Sequence, residues 1–496
     1  MNRKILVIGS GFSGLSVAAY LGKKHHVTVL EKNSTIGGRS RQFKDSGFVF
    51  DMGPSWYWMP DIFEKFFNDF GYSSKDFYSL IRLHPSFQII FQDDVMIVPA
   101  GKEELIKLFE TYEKNAGKKL QDYLSETEYL YHVAVNKMLY RPYISIIDYL
   151  NKDTLDWKLI SSLFGSVSQS IRSRFKHPKL TQLLEFPVIF LGSTAKEIPA
   201  LYGLMNYAAF EMGTWYPMGG MFEIVKAIEK IAIQNNVEIK PQTQVKKIVV
   251  KNKKAIGVET DKGFYEADII VSSADYAFTE NYLLDKDYAN YNEEYWNKKT
   301  FAPSALIFYL GINKKIPKLL HHNLFFDADF DKHIHDIYTS ARWPEKPLFY
   351  LSVPSKTDSS VAPADQENLF VLIPIAIGLK DNKEIHEKLF EDIITRIEQF
   401  TGEKIKDHIV VKHTYSVENF ISDYNSYKGN AYGLANTLLQ TATFKPKLIN
   451  KKISNLFYTG QLTVPGPGVP PSLISGKLVA QLIQKQLKTK EYETVV

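Results

Sequence analysis

Cysteine is missing altogether from this chain of 496 residues, and that absence excludes several kinds of chemistry. Without a thiol the chain has no disulfide bonds, no thiolate metal ligands and no cysteine nucleophile. The histidines follow no metal-ligand spacing, and no Ser/His/Asp arrangement is evident. No metal site is therefore expected.

An excess of charge of one sign is also missing. Sixty Lys and Arg residues face 55 Asp and Glu residues, which leaves a formal net charge of only +5. Nucleic-acid-binding domains carry a denser basic patch, so a nucleic-acid partner is not expected. A membrane surface with anionic headgroups suits this mild basic excess better.

No apolar run of the kind that spans a bilayer is present. The stretch Ile453–Gly476 is uncharged and long enough, but it contains Pro465, Pro467, Pro470 and Pro471. A continuous helix does not pass through such a sequence, so we expect a buried or cofactor-lining loop. At the N-terminus, the apolar run stops at Gly9, too early for a signal-peptide core, and a cytoplasmic location is expected.

What the sequence does contain is typical of a globular protein. Hydrophobic residues make up 45% and charged residues 23% of the chain, and 14% of its residues are aromatic. Three separated segments have the pattern of one parallel sheet with helices. They include predicted strands at Lys4–Ile8, Val27–Leu30, Asp268–Ser273 and Asn455–Thr459, and a last helix over Ser472–Leu487 followed by a loose tail from Lys488.

A glycine-rich turn follows the first predicted strand. Gly9, Gly11 and Gly14 form a G-x-G-x-x-G pattern that opens a helix, and Glu31 ends the next strand. This context is typical of a dinucleotide fingerprint, in which the glycines allow a tight turn and close approach to a pyrophosphate. Glu31 suits ribose hydroxyl groups, and its charge disfavours a 2′-phosphate.

Two further glycine-rich segments indicate a flavin nucleotide. Gly37-Gly38-Arg39 follows Glu31, and its guanidinium is suited to neutralise a pyrophosphate. This segment resembles the FAD-binding fingerprint of the amine-oxidase-like flavoproteins. Near the other end, Tyr458-Thr459-Gly460-Gln461 and a Pro/Gly loop precede a helix whose positive end favours an anionic reduced flavin; a structural loop that closes the sheet is the alternative.

At this point the whole chain resembles the bacterial-type carotenoid desaturases, the family of phytoene desaturases and their relatives. Four blocks carry the resemblance: the N-terminal segment through Gly53-Pro54-Ser55-Trp56-Tyr57-Trp58-Met59-Pro60, which is similar to phytoene desaturases of flavobacterial type, Trp215–Met221, Val271–Asp275 and Pro465–Pro470. Pro467 stands where the family usually has alanine, and Gln461 also departs from the family pattern.

The resemblance implies an α/β fold: a Rossmann-like FAD-binding domain with an inserted mixed or antiparallel-sheet substrate domain and a helical lid or membrane-binding region. The FAD domain is expected to be discontinuous, over 1–75, 221–285 and 441–496. The substrate domain is expected over 76–125 and 286–440, and the lid over 126–220. The implied FAD contacts are Gly9, Ser10, Gly11, Phe12, Ser13, Gly14, Glu31, Lys32, Gly38, Arg39, Met52, Gly53, Pro54, Ser55, Val245, Gly460, Gln461, Gly468 and Val469.

The resemblance also suggests a proton acceptor. Family desaturases carry an aspartate in a Ser-x-x-Asp stretch, which Ser145-Ile146-Ile147-Asp148 matches. Desolvation among the neighbouring isoleucines would raise the pKa of Asp148 and suit it to acid–base work. A helix-capping or solvated aspartate is the alternative reading of this residue, and Glu211 is a second candidate.

A basic and aromatic stretch from Tyr129 to Phe175 matches two kinds of structure. With Arg141, Arg172 and Arg174, it suits a helix that lies in a membrane interface, although core packing explains the same pattern. The resemblance favours the membrane, because a C40 polyene is available only from lipid. We therefore expect peripheral association with the inner face of the membrane.

The predicted function is FAD-dependent desaturation of an acyclic C40 carotenoid, phytoene towards lycopene. Hydride leaves an allylic carbon for the flavin, and a base takes the neighbouring proton. A quinone or oxygen is the expected electron acceptor, and the oligomeric state stays open. The alternatives are 3,4-desaturation of a 1′-hydroxycarotenoid, carotenoid isomerisation, amine oxidation and a non-catalytic isoprenoid-binding escort role.

Overall fold

The computed structural model describes residues 2–142, 157–189 and 191–495. Its strands are β1 Lys4–Ile8, β2 His26–Leu30, β3 Gln42–Asp45, β4 Phe48–Asp51, β5 Leu80–Arg82, β6 Phe87–Ile90, β7 Val95–Val98, β8 Trp215–Pro217, β9 Val237–Lys240, β10 Val245–Lys251, β11 Lys254–Thr260, β12 Gly263–Glu266, β13 Ile269–Ser272, β14 Ser304–Ile312, β15 His322–Phe325, β16 Phe349–Ser352, β17 Glu367–Ile375, β18 Ile409–Tyr415 and β19 Leu456–Tyr458.

The helices of the described residues connect and cover these strands. They are α1 Phe12–Gly22, α2 Pro60–Asn68, α3 Lys102–Tyr112, α4 Ala116–Val133, α5 Trp157–Phe164, α6 Val167–Arg174, α7 Pro178–Ile189, α8 Leu204–Asn206, α9 Phe222–Gln234, α10 Tyr276–Phe278, α11 Glu293–Asn297, α12 Phe330–Tyr338, α13 Lys383–Thr401, α14 Val417–Tyr424 and α15 Val469–Val495.

A five-stranded parallel sheet is built from distant parts of the chain. Its strand order is β19-β13-β1-β2-β9, so the first strand lies in the centre. Apart from Lys4, the β1 residues are buried, as expected for a strand covered on both faces. Helix α1 packs against α9 and α15. The α1–α15 approach is close, because a Cβ atom on Gly476 would lie 2.7 Å from the Ser13 carbonyl oxygen.

A seven-stranded sheet forms the second layer, in the order β18-β14-β17-β16-β15-β6-β7. It is mixed, because β15 and β6 run parallel while the other neighbours are antiparallel. All residues of β14 are buried, and successive side chains alternate between the two faces. Leu306 and Phe308 pack in a cluster with α13, whereas Ala305 and Ile307 face a cavity on the other side.

The predicted α/β fold class, with a parallel nucleotide-binding sheet and a mixed second sheet, is confirmed. The end of the chain differs from the prediction, since α15 begins at Val469 and continues to Val495 instead of giving way to a loose tail at Lys488. Pro470 and Pro471 occupy its first turn, where a missing N–H costs little, and no glycine or proline follows Gly476 to stop the helix. Among the described residues, no helix has the length and apolar character needed to cross a bilayer.

Candidate functional site

The turn between β1 and α1 forms the base of the site. Gly9 has a φ of +93°, and a Cβ atom on Gly14 would lie 2.1 Å from the Gly9 carbonyl oxygen. Only glycine permits that approach of helix to strand. Gly11 precedes the helix and has open space where a Cβ atom would be. With no capping side chain there, the first N–H groups of α1 are available to an anionic ligand.

Glu31 is held at this turn by three hydrogen bonds. Its Oε2 accepts from the Ser10 backbone N–H at 2.9 Å and from the Ser10 hydroxyl at 2.7 Å, and its Oε1 accepts from Asn33 N–H at 2.9 Å. The residue is only 5% exposed. A buried, oriented carboxylate at the end of the second strand suits the hydroxyl groups of a ribose.

Arg39 provides a cation beside the same turn. Its Nη2 donates to the Ser426 hydroxyl and the Asn430 carbonyl, both at 3.2 Å, whereas its buried Nε has no partner among the described residues. Burial lowers the pKa of the guanidinium from its ordinary value. Gly38, with a φ of +57°, brings the chain to within contact of Gly11. This arrangement leaves one N–H of Arg39 to donate to a phosphate.

The C-terminal loop brings a second helix end to the site. Gly460 and Gly468 adopt φ values of +117° and +112°, which side chains disfavour. The loop between them leads into α15, whose first residues line the same space as the glycine turn. The positive end of α15 therefore faces that space, as the sequence predicted, and favours negative charge there.

These segments enclose one cavity of about 450 Å³. Its lining includes every residue predicted to contact FAD except one: Gly9, Ser10, Gly11, Phe12, Ser13, Glu31, Lys32, Gly38, Arg39, Met52, Gly53, Pro54, Ser55, Val245, Gly460, Gln461, Gly468 and Val469. The exception is Gly14, which packs against the Gly9 carbonyl oxygen beneath the turn instead of lining the cavity.

Helix α14 contributes a wall that sequence reasoning missed. Phe420, Asp423 and Tyr424 line the cavity, and their i, i+3, i+4 spacing places them on one helical face. The Tyr424 ring lies 5.1 Å from the Arg39 guanidinium, and the Lys32 ammonium group donates to the Ser422 carbonyl at the end of the helix. The spacing was the available signal, but without a motif it does not distinguish a cavity wall from ordinary core.

Asp275 is a second missed residue. It lines the cavity at the end of β13, and its carboxylate accepts from the backbone N–H groups of Phe278 at 3.1 Å and Tyr427 at 3.2 Å. Burial raises the pKa of Asp275 above its ordinary value, although these bonds and Arg39 oppose the shift. The motif Val271–Asp275 contains the residue, but the sequence assigned it no role.

A large apolar and aromatic group also lines the cavity. It consists of Trp56, Trp58, Met59, Leu139, Pro187, Leu191, Tyr202, Leu204, Met205, Ala305, Ile307, Tyr350, Leu372 and Tyr432. In the described part of the chain, the carboxylates that line the cavity are Glu31, Asp275 and Asp423. All three lie near the glycine turn and Arg39, a region that we call the nucleotide end. One end of the cavity is therefore suited to a charged dinucleotide and the other to a hydrocarbon.

Of the two predicted acid–base residues, Glu211 alone falls within the described part of the chain. Asp148 lies outside the described residues, so its role as a proton acceptor stays a prediction. Glu211 ends a π-helical turn over Tyr207–Glu211, and its carboxylate forms an ion pair with Lys102. Glu211 does not line the cavity.

The observed groups fit FAD. The open space at Gly11, the unpaired Nε of Arg39 and the oriented Glu31 carboxylate suit a pyrophosphate and a ribose. The end of α15 suits the electron-rich edge of a flavin ring.

Comparison with known proteins identifies relatives over nearly the full length. The chain matches the flavin containing amine oxidoreductase family over residues 12–484. It is 39% identical to a carotenoid 3,4-desaturase of Haloarcula japonica, with 97% of each chain covered. It is 30% identical to the 4,4′-diapophytoene desaturase (4,4′-diaponeurosporene-forming) of Staphylococcus haemolyticus, with 98% of this chain and 99% of the relative covered.

Solved structures show the same fold at lower sequence identity. An oxidoreductase of Methanosarcina mazei superposes with a TM-score of 0.61 at 17% identity, covering 96% of this chain and all of the other. At that identity the likeness concerns the fold alone.

Proposed function

The chain belongs to the flavin-containing amine oxidoreductase family, and from that premise we propose that it is an FAD-dependent desaturase of an acyclic C40 carotenoid, converting phytoene towards lycopene. The observation that carries the proposal is that one cavity combines charged and glycine residues with a large apolar lining. When bound, FAD supplies the hydride acceptor. The protein positions the polyene, excludes water and removes a proton.

A second reaction has specific support. The relative that is 39% identical is named a carotenoid 3,4-desaturase, which favours 3,4-desaturation as the alternative reaction. Both reactions remove two hydrogens from neighbouring carbons, so both use the same kind of cavity. The end group of the carotenoid distinguishes them.

The other reactions known on such scaffolds have less support. Amine oxidation requires a cage for a neutral amine beside the flavin, and the known relatives compared above act on carotenoids. A carotenoid isomerase would leave the number of double bonds unchanged. An escort protein would bind the chain without FAD, which the fit of the nucleotide end disfavours.

We further propose that the protein collects its substrate from a membrane surface through four exposed apolar side chains. Phe164, Leu438, Leu439 and Phe444, the apolar edge, are 78%, 40%, 72% and 52% exposed. The edge is tied to the cavity lining, because Gly165 accepts a hydrogen bond from Ala200 N–H and the Tyr202 hydroxyl bonds the Thr441 hydroxyl at 2.8 Å. Tyr202 itself lines the cavity.

Two of the cations predicted to face lipid have partners within the protein. Arg172 forms a two-point ion pair with Glu185 at 2.7 and 2.9 Å, and Arg174 pairs with Glu126 at 2.5 Å. These pairs reduce the charge available to anionic headgroups. The proposed membrane contact therefore depends mainly on apolar side chains, at the inner face of the membrane, where a quinone or oxygen would accept the electrons of a bound flavin.

Product analysis tests the proposed function. Purified protein is loaded with FAD and incubated with liposomes that contain phytoene, lycopene or a 1′-hydroxycarotenoid, and pigments are then separated by chromatography. We expect phytoene to gain conjugated double bonds. Conversion of the hydroxycarotenoid alone would select the 3,4-desaturase alternative, and a change in geometry without new double bonds would indicate an isomerase.

A further inference from the structure

A buried tyrosine and histidine meet at the apolar part of the cavity. Tyr350 lines the cavity and is 5% exposed, and its hydroxyl lies 2.7 Å from Nδ1 of His322, which is 0% exposed. The two residues lie on neighbouring strands, with His322 paired to Ser352 and Leu324 paired to Tyr350. This register places both side chains diagonally on one face of the sheet.

Trp56 completes the group from the cavity side. Its ring stacks on the His322 ring at 4.1 Å between centroids and 15° between planes, and it lies 5.4 Å from the Tyr350 ring. Trp56 belongs to the segment Met52–Trp56 that lines the cavity after the Arg39 turn. His322 is therefore separated from the cavity by the indole face and the Tyr350 hydroxyl.

The polarity of His322 is unusual for its surroundings. Its Nε2 has no hydrogen-bond partner within the described chain. Burial, with His321 next to it, lowers the pKa of His322 well below its ordinary value. The imidazole is thus neutral and only weakly basic at physiological pH, and its Nδ1 can accept a hydrogen bond from the Tyr350 hydroxyl. An apolar side chain would fill this place without the cost of an unpaired polar atom.

We propose that Tyr350 takes up the proton that the carotenoid loses, while His322 orients Tyr350 and takes the phenolic proton at Nδ1. This inference rests on the proposed function. A C–H bond breaks, its electron pair becomes the new double bond, and its proton bonds to the Tyr350 oxygen as the phenolic proton moves to His322. The other hydrogen leaves with its electron pair as hydride, for which FAD is the oxidant.

A weak base is sufficient for this step. A C–H bond next to a carbon with developing positive charge is strongly acidic, so the acceptor must be close but need not be strongly basic. The faces of Trp56 and Tyr350 also stabilise positive charge that spreads along the polyene. An apolar cavity thus gains a proton acceptor without a carboxylate.

Three variants separate the roles of the two residues. Tyr350→Phe removes the hydroxyl, His322→Asn keeps an acceptor near Nδ1 but not a base, and His322→Leu removes both. Two readouts are measured: the single-turnover rate of desaturation without oxygen, and binding of a protonated long-chain isoprenoid amine relative to its neutral hydrocarbon analogue. The amine carries a positive charge like the reacting polyene but does not react.

We expect Tyr350→Phe to slow the reaction by about 10²–10⁴-fold. The same variant should bind the protonated amine at least about tenfold more weakly, with FAD retention and hydrocarbon binding unchanged. His322→Asn should retain amine binding but lose rate, whereas His322→Leu should lose both. Tyr78→Phe is the matched control, because it also removes a buried tyrosine hydroxyl. That hydroxyl forms a hydrogen bond of 2.9 Å with the Tyr57 hydroxyl, and neither residue lines the cavity.

A rate for Tyr350→Phe within about threefold of wild type, with amine binding unchanged, would overturn the inference and return the role to Asp148. In that case Asp148→Asn should show the loss instead. A wild-type protein that converts no carotenoid would overturn the proposed function, and this inference with it. The activity of the wild-type protein therefore shows which of the two proposals has failed.

Discussion

At the scale of single residues, the account depends first on Glu31 and Arg39. Glu31→Gln removes the negative charge but keeps the size of the side chain, and Arg39→Ala removes the cation with the unpaired Nε. Loss of a charge-assisted hydrogen bond to a buried group costs about 1.5–3 kcal/mol, so FAD affinity should fall roughly 10- to 150-fold in each variant. Flavin absorbance per protein after gel filtration at low FAD measures this, and full occupancy in both variants would refute the assignment.

Lys445 gives a prediction about stability and pH. It is 3% exposed, its Nζ has no partner among the described residues, and burial with Lys299 nearby lowers its pKa to about 7. Above that pH the unfolded chain still holds the proton that the native protein has lost, so the free energy of unfolding should rise with pH until the ordinary lysine range. Lys445→Met should raise stability at neutral pH by about 1–3 kcal/mol and remove this rise.

Urea unfolding of wild type and Lys445→Met from pH 7 to pH 10 makes that comparison, since other titrating groups cancel in the difference. If the extra unfolding free energy of Lys445→Met over wild type does not decrease from pH 7 to pH 10, Lys445 is charged and paired in the native protein.

The residues of the nucleotide end were accessible to sequence reasoning because they occur in local motifs. Gly9, Gly11 and Glu31 belong to one strand–turn–helix–strand unit, and Arg39 follows shortly after it, so spacing along the chain fixes spacing in space. Tyr350 and His322 are adjacent only because β15 and β16 pair. No spacing rule predicts that contact.

At the scale of secondary-structure elements, the apolar edge should determine membrane binding. Each exposed apolar side chain that enters lipid contributes about 1.5–3 kcal/mol. Phe164→Ser combined with Leu439→Ser should therefore lower liposome co-sedimentation by at least about tenfold, with FAD retained. Because Arg172 and Arg174 are already paired, binding should change little with salt.

Phe264→Ser is the matched control for the edge, since Phe264 is 52% exposed but lies on β12 of the three-stranded sheet β10-β11-β12, to which no residue of the edge belongs. Unchanged sedimentation of the double variant, or strong loss of wild-type binding in salt, would instead favour a contact made by charge.

The elements themselves show what a sequence can and cannot predict. Strand β1 was predicted to the residue because five successive positions carry one clear pattern. The sequence does not predict that helix α14 lines the cavity, because this helix is distant along the chain from the glycine turn. The contact is made by Lys32 and Asn33, whose side chains donate hydrogen bonds to carbonyl groups of the helix. The prediction ends the last helix at Leu487, whereas helix-favouring residues continue α15 to Val495.

At the scale of the whole molecule, two sheets bring distant segments around one cavity. The parallel sheet contributes the glycine turn and Glu31, and the mixed sheet contributes Ile307, Tyr350 and Leu372. The resemblance predicted both layers, but the shared cavity follows only from their packing. A nucleotide and a hydrocarbon chain can therefore share one continuous space.

Anaerobic mixing of the FAD-loaded protein with phytoene in liposomes tests whether the polyene and the flavin meet in this cavity. If the polyene reaches the flavin within this cavity, the absorbance of oxidised flavin should disappear, with one new double bond formed for each flavin reduced. Flavin that stays oxidised with phytoene and with a 1′-hydroxycarotenoid, while the protein still binds both, would contradict the account.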